Sequence, residues 1–204
     1  MEIKCLLLGE LQTNCYLLSS EKGAVVIDPA DYSLEVENFL RENIHKQRLI
    51  LITHAHFDHY GDALRLSKVT DTKIGIGALE NFALSDGDVN LSKHFGNELE
   101  HFSADLLFED NQEFSVGDIN FKVLHTPGHT KGSVCYLCED NLFSGDLLFR
   151  GSIGRTDFPG GSFESLKISV RRLYATFKDI NIFSGHGEKT TLLYEKNNNP
   201  FIRG

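Results

Sequence analysis

Apolar residues in this chain come in short runs set apart by polar or glycine-containing turns, and their spacing changes from one region to the next. Ile3–Leu8, Asn14–Ser19 and Ala24–Asp28 have the aliphatic density of consecutive strands, with Ser20-Glu21-Lys22-Gly23 as one polar turn between them. A helical spacing follows. Leu34, Val36, Phe39, Leu40 and Ile44 recur on one face and Ser33 stands at an N-cap position, which predicts a helix from Ser33 to about Asn43. Arg48–Thr53 reads as a buried strand, Ala63, Leu64 and Leu66 as the inward side of another helix, and Lys73–Gly77 as a short strand. Residues 84–105 are polar and without clear period, which predicts a long loop with one helical turn, of the kind that often covers an active site. Strand spacing returns at Glu113–Val116, Asn120–Leu124, Ser133–Cys138 and Leu142–Ser144. Leu166, Ile168, Val170, Leu173 and Phe177 then predict an amphipathic helix over 163–177, followed by a strand at Asn181–Ser184 and a last helix at Thr190–Glu195.

No low-complexity linker interrupts these elements, so residues 1–204 read as a single domain. The strands come in meanders separated by helices rather than in strict alternation with them. That order predicts an α/β architecture of two sheets packed face to face with helices outside.

Four strand ends carry the candidate chemistry. Leu49–Thr53 runs into His54, Phe121–Leu124 into His125-Thr126-Pro127-Gly128-His129, Leu142–Gly145 into Asp146, and Ile182–Gly185 into His186. Ligand-type residues far apart in the chain, all just beyond apolar strands, can converge on one edge of a sandwich. The densest stretch is Thr53-His54-Ala55-His56-Phe57-Asp58-His59, with three imidazoles and a carboxylate directly after Leu49-Ile50-Leu51-Ile52. Imidazole nitrogen and carboxylate oxygen are zinc ligands that also suit iron and manganese. His54 and His56 alternate as on one side of an extended segment, and Asp58 and His59 turn away, so the stretch can serve two neighbouring ions. A merely polar, histidine-rich loop is the plainer alternative.

Composition narrows the function classes. With 204 residues, 41% hydrophobic and 24% charged, the chain has ordinary globular make-up. Its formal net charge of -9 argues against nucleic acid as the main partner, because phosphate binding needs a basic face. No apolar run is long enough to span a bilayer, and the first residues lack the basic leader and cleavage site of a signal peptide. Cys135 and Cys138 form a lone C-x-x-C that falls on opposite faces of a strand, and Cys5 and Cys15 are expected to pack as small hydrophobes; this usage fits a reducing cytoplasm.

Taken together, His54-x-His56-x-Asp58-His59, His129, Asp146 and His186, with Ile27-Asp28-Pro29, His125–Thr130, Ser144-Gly145-Asp146, Gly154-Arg155-Thr156-Asp157-Phe158 and Ser184-Gly185-His186-Gly187, resemble the metallo-β-lactamase fold superfamily, and within it the glyoxalase II-like hydrolases. The resemblance spans essentially the whole chain. It implies a four-layer αββα sandwich of two mixed β-sheets flanked by helices. It implies two divalent metal ions, zinc first, with iron or manganese as alternatives. His54, His56 and His129 would hold one ion, Asp58, His59 and His186 the other, and Asp146 would bridge them. Asp58 and Asp146 would be catalytic, with Asp58 orienting a metal-bridging hydroxide. The implied reaction is hydrolysis of an acyl-glutathione-type thioester such as S-D-lactoylglutathione, with a small anionic molecule as the only expected partner. The chain ends at Gly204 without the C-terminal helical domain of full-length glyoxalase II enzymes, and the expected lysine and tyrosine contacts to glutathione are not evident, so the chain is most similar to the short, single-domain members. Gly154–Phe158 is also similar to the motif of iron-dependent persulfide dioxygenases, although Ile153 stands where those carry cysteine. Hydrolysis of another ester, thioester or lactone is a further alternative.

Arg155, on a glycine-flanked loop soon after Asp146, is the candidate for binding a substrate carboxylate, with a salt bridge to Asp157 as its competing role. Asp28 is placed either to orient a ligand imidazole or to cap a turn. His45, His94 and His101 are expected in solvent, His125 in a structural role, and Lys131 facing outward.

Overall fold

The computed structural model describes residues 1–97 and 99–204; Glu98, within the expected 84–105 loop, lies outside the described residues. A first sheet is built from β1 (Glu2–Leu8), β2 (Thr13–Ser19) and β3 (Gly23–Ile27), then, after helix α1 (Leu34–Glu42), β4 (Gln47–Ile52). Helices α2 (Phe57–Tyr60) and α3 (Ala63–Thr70) lead to β5 (Ile74–Gly77), and a 3-10 turn at Asn81–Ser85 precedes β6 (Leu106–Phe108). The second sheet takes β7 (Glu113–Val116), β8 (Ile119–His125), β9 (Val134–Cys138) and β10 (Asn141–Gly145). A small hairpin, β11 (Leu148–Phe149) and β12 (Ser152–Ile153), and helix α4 (Phe163–Thr176) separate these from β13 (Asn181–Ser184), β14 (Thr190–Thr191) and α5 (Leu192–Asn198).

Both sheets are mixed. The first runs β1-β2-β3-β4-β5-β6, antiparallel through β3 and parallel after it; the second runs β14-β13-β10-β9-β8-β7, with only β10 and β13 parallel. Side-chain alternation sorts the residues into three cores. Leu18, Val25, Ile27, Leu51, Phe121, Val123, Tyr136 and Phe143 fill the space between the sheets. Their strand neighbours Leu17, Val26, Ile50 and Ile52 point the other way, against Val36 and Leu40 of α1 and Ala63 and Leu66 of α3. Leu124, Cys135, Leu142 and Ile182 face Leu166, Val170 and Leu173 of α4 and Leu192 of α5. The result is the expected helix–sheet–sheet–helix sandwich, and each fully buried aliphatic or aromatic side chain contributes about 1.5–3 kcal/mol.

Departures from expectation have local causes. Leu34 opens α1, Ile44 lies past its C-cap Asn43, and Ile168 sits two residues from both Leu166 and Val170, so all three are exposed instead of packed. Leu64 is only half-buried. Strand β6, the β11–β12 hairpin and β14 are too short to show a period and were not anticipated. The last helix starts at Leu192 rather than Thr190, because Thr190 and Thr191 pair with β13 and Thr191 caps the helix through its side chain. Cys5 is exposed on edge strand β1, which corrects its expected packing, while Cys15 is buried. Cys135 and Cys138 do lie on opposite faces of β9, in two different cores. No helix among the described residues is long and apolar enough to cross a membrane.

Two ties lock the sheets where β4 ends. The Tyr136 hydroxyl donates to the Ile52 carbonyl at 2.9 Å, and the Val134 amide donates to the Thr53 carbonyl at 3.0 Å. Tyr136 is fully buried, so Tyr136→Phe leaves a buried carbonyl one partner short. The expected loss is about 1–3 kcal/mol. Thermal denaturation should read it as a melting point lower by about 2–4 °C per kcal/mol.

Candidate metal centre

The ligand-type residues meet where strands of both sheets end. β10 and β13 are parallel neighbours, so Asp146 and His186 leave the second sheet side by side, and the Gly185 amide donates to the Gly145 carbonyl at 2.8 Å. A side chain on Gly185 would run into Asp146 and the His59 ring, which is why the residue between strand and His186 has none. From the first sheet, β4 delivers His54 and His56, and α2 begins at once, turning Asp58 and His59 into the same space. The loop after β8 delivers His129.

All seven residues expected from the sequence converge. His54 Nε2 lies 3.1 Å from His56 Nδ1, and His129 Nε2 lies 2.9 Å from the same atom. His186 Nε2 is 3.4 Å from Asp58 Oδ2, and His59 Nε2 is 3.8 Å from it. Asp146 lies between the two groups, with Oδ1 3.4 Å from His59 Nε2 and Oδ2 3.5 Å from His129 Nε2 and 3.7 Å from His186 Nε2. Donor atoms of His54, His56 and His129, of His54, His59 and Asp146, and of Asp58, His59 and His186 each fall within 4.8 Å of one another.

The outer nitrogen of several rings is anchored, which directs the inner one. His59 Nδ1 donates to Asp28 Oδ2 at 2.9 Å, His129 Nδ1 to the Arg155 carbonyl at 2.7 Å, and His186 Nδ1 to the Leu11 carbonyl at 3.1 Å. Asp28 also accepts from the Thr53 amide (2.8 Å) and hydroxyl (2.7 Å), from a left-handed backbone (φ 53°), so it both orients a ring and ends the strand. The inward atoms His59 Nε2 and Asp146 Oδ1 are buried and have no hydrogen-bond partner. Buried polar atoms facing one another without a hydrogen bond need a proton or a cation between them. This all-nitrogen and carboxylate donor set therefore fits divalent ions.

Burial and charge divide the cluster. Burial holds His54 well below the ordinary histidine range, and burial together with the His129 ring takes His56 down to about 3. Burial pushes Asp58 and Asp146 up, but His59 and the other rings outweigh it and both carboxyls lie below their usual range. Burial would lower His59 as well, yet Asp146, Asp58 and Asp28 hold it well above its usual value, and Asp58 does the same more mildly for His186.

The remaining candidates are resolved individually. Arg155 forks onto Asp157, with Nε and Nη2 each 2.7 Å from a carboxylate oxygen, and its guanidinium lies 3.8 Å above the Phe158 ring. Its backbone carbonyl, not its side chain, touches the histidine cluster. His45, His94 and His101 are exposed, as is Lys131, and half-buried His125 points Nε2 at the Lys131 carbonyl, 3.1 Å away. Two residues were not singled out in the sequence. Asn14 donates from Nδ2 to the carbonyls of Ser184 and Gly187, both at 2.9 Å, gripping the His186 turn; a polar residue opening an otherwise apolar strand was its only signal. Glu80, buried just past β5, accepts from the amides of Ala55 and Gly132 and gave no signal. A cavity of about 340 Å³ opens beside Asp58, lined by Leu8, Leu11, Thr13, Phe57 and, from the 84–105 segment, Phe95 and Leu99.

Comparison with known proteins agrees with this geometry. A family model described as the metallo-beta-lactamase superfamily matches residues 8–186. The probable metallo-hydrolase YqgX of Bacillus subtilis is 36% identical over 96% of this chain and 95% of its own length. The hydroxyacylglutathione hydrolase GloC of Haemophilus influenzae is 34% identical over 99% and 98%. Among solved structures, the BLEG-1 B3 metallo-beta-lactamase superposes with a TM-score of 0.91 at 36% identity, covering 100% of both chains. TTHA1623 in a di-iron-bound form gives 0.85 at 33%, covering 98% of this chain and 100% of that one, and ETHE1 from Myxococcus xanthus gives 0.80 at 28%, covering 98% and 84%.

The pKa directions predict how the metal-free protein responds to pH. His54 and His56 resist protonation in the folded state, so stability is lost as pH falls from about 6.5, where the unfolded chain begins to take up protons. His59 and His186 bind protons more tightly folded than unfolded, so their contribution is present below 6.5 and is lost as pH rises through their raised values. Chelator-treated protein should therefore melt highest near pH 6.5 and lower on either side. Zinc-loaded protein should lose the alkaline decline, because bound ions replace those protons. Thermal melts from pH 5 to 9, with and without zinc, test both halves.

Proposed function

The chain belongs to the metallo-β-lactamase superfamily, and on that footing we propose that it is a two-metal hydrolase of acyl thioesters of the acyl-glutathione type. The observation that carries the reading is the pairing of a complete, buried His/Asp donor set with two carboxylates held in their ionised form. His54, His56 and His129 would hold one ion, Asp58, His59 and His186 the other, and Asp146 would reach both. When bound, two divalent ions supply Lewis acidity, drawing the pKa of water toward neutrality and polarising a carbonyl oxygen.

The chain's own residues account for the choice of leaving group. Asp58, near His186 and within 3.5 Å of the Thr13 hydroxyl, is ionised and can accept the proton of an attacking water. Asp146 is ionised too. A leaving amine needs a proton at departure, whereas a thiolate leaves without one. A thioester therefore asks less of this site than an amide, whose leaving amine would need Asp58 to hand on the proton taken from water. The cavity beside Asp58, walled by Leu11, Phe57, Phe95 and Leu99 together with Glu10, Asp31 and Asn97, offers mixed apolar and polar surface to a substrate. Arg155 keeps a proposed role in substrate binding, through the part of the guanidinium that Asp157 does not engage. The GloC relative supports a glutathione thiol, and zinc is the proposed metal, with iron the alternative that the di-iron neighbour supports.

Zinc-loaded protein should release thiol from S-D-lactoylglutathione, followed with a chromogenic thiol reagent. Oxygen uptake with glutathione persulfide and no thiol release would instead favour the dioxygenase alternative, for which the Gly154–Phe158 loop speaks. Cleavage of a β-lactam with neither would favour the chemistry named for the BLEG-1 neighbour. Asp146→Ala should keep the fold by circular dichroism and lose about one equivalent of metal. Its kcat/KM should fall by about 10²-fold or more, the order seen when a metal-centred electrostatic group is removed. Full turnover with two bound ions in that variant would overturn the assignment.

A further inference from the structure

Glu80 is 2% exposed and sits three residues beyond β5, on neither histidine loop. Its Oε1 accepts the Ala55 amide at 3.0 Å, the peptide between His54 and His56. Its Oε2 accepts the Gly132 amide at 2.8 Å, three residues after His129. The two loops come from different sheets, and the other ties between them, Val134 to Thr53 and Tyr136 to Ile52, lie back at the strand ends. Glu80 is thus the tie that acts beside the ligands themselves. The fit is close on both sides: a side chain on Gly132 would overlap the Glu80 carboxylate and backbone, and one on Gly77 would overlap Val134.

We propose that Glu80 is the positioning residue of the first ion site, a buried carboxylate that clamps the His54–His56 turn to the His129 loop so that three nitrogens stand at ligating separation. The chemistry requires a carboxylate. Both partners are N–H donors, so both oxygens must accept, and a glutamine would turn its NH₂ toward one of them. An aspartate is one methylene short and reaches only one loop. The clamp does not touch Asp58, His59 or His186, whose anchors are Asp28, the Leu11 carbonyl and the Asn14 grip on the 184–187 turn. Its loss should therefore weaken one ion and spare the other. The inference rests on the two-ion reading but not on the substrate, because its readout is metal binding.

The experiment titrates Zn²⁺ into chelator-stripped wild-type, Glu80→Gln and Glu80→Asp protein, in competition with a chromophoric chelator. His129→Ala identifies the step that belongs to the first site. In both Glu80 variants that step should weaken by about 10–100-fold, the usual effect of losing the group that orients a ligand, while the other step changes less than about twofold on the same scale. Leu173→Ala, in the core under α4 and outside the clamp's hydrogen bonds, supplies a variant with a lowered melting point and no change in zinc affinity. Unchanged affinities in Glu80→Gln and Glu80→Asp would overturn the proposal. So would equal weakening of both steps, or the same selective loss in Leu173→Ala. If Glu80→Gln does not fold, Glu80→Asp decides alone, since it keeps the charge and one of the two bonds.

Discussion

The structure is organised around the mutual repulsion of ligand atoms. Five imidazole rings and two carboxylates are brought within a few ångströms of one another in a largely dry space, with His54, His56, His59 and His129 almost completely buried. Left to themselves such groups would turn to face protons or water. Three of the rings are held from behind. Asp28 holds His59, the Arg155 carbonyl holds His129, and the Leu11 carbonyl holds His186. Every one of those holds is made by a residue at the end of a strand or on the turn that follows it, so the centre depends on where the strands stop.

Stopping the strands together is what the sandwich does. Parallel pairing of β3 with β4, and of β10 with β13, sets Asp28 beside Thr53 and Asp146 beside His186. The inter-sheet core, with Tyr16 and Tyr136 at the end nearest the site, fixes the distance between the two pairs. Tyr16 and Tyr136 each bury a ring between the sheets and spend the hydroxyl on a carbonyl next to the site, at Ser184 and Ile52. The same side chains therefore serve packing and alignment, and a shift of either sheet would separate ligands that are distant in sequence.

Much of this was legible because each ligand follows an apolar run. Strands of five or more residues such as β2, β4 and β8 are long enough to stand out as apolar runs, and a histidine or aspartate soon after a strand marks the edge at which it will lie. What escaped was whatever lacks a period or acts through the backbone. Two-residue strands such as β11 and β14 have no alternation to read. Glu80 meets its partners through amides, which every residue carries, so nothing in the identities of Ala55 and Gly132 announces it. Arg155 illustrates a third limit. Its residue type suggested a carboxylate ligand, but the nearest carboxylate is its own neighbour Asp157, and the contact with the cluster comes from its carbonyl.

The centre has two unlike halves, and the difference follows from which element supplies each ligand. β4 and the loop after β8 contribute only imidazoles, two of them held neutral by burial. α2 and the turn after β13 contribute Asp58 and two histidines that the carboxylates make more basic. A three-nitrogen set favours borderline-soft ions, while the carboxylate-bearing set accepts harder ones. Protons also compete differently. His54 and His56 are held unprotonated at neutral pH, so an ion meeting them displaces no proton there, whereas His59 and His186 must shed protons that Asp58 and Asp146 stabilise on their rings. Loading should therefore be ordered, with the nitrogen half filling first and the carboxylate half following as pH rises. That order suits Glu80's position, since the half it clamps is the one that must be ready before any ion has arrived to draw the ligands together.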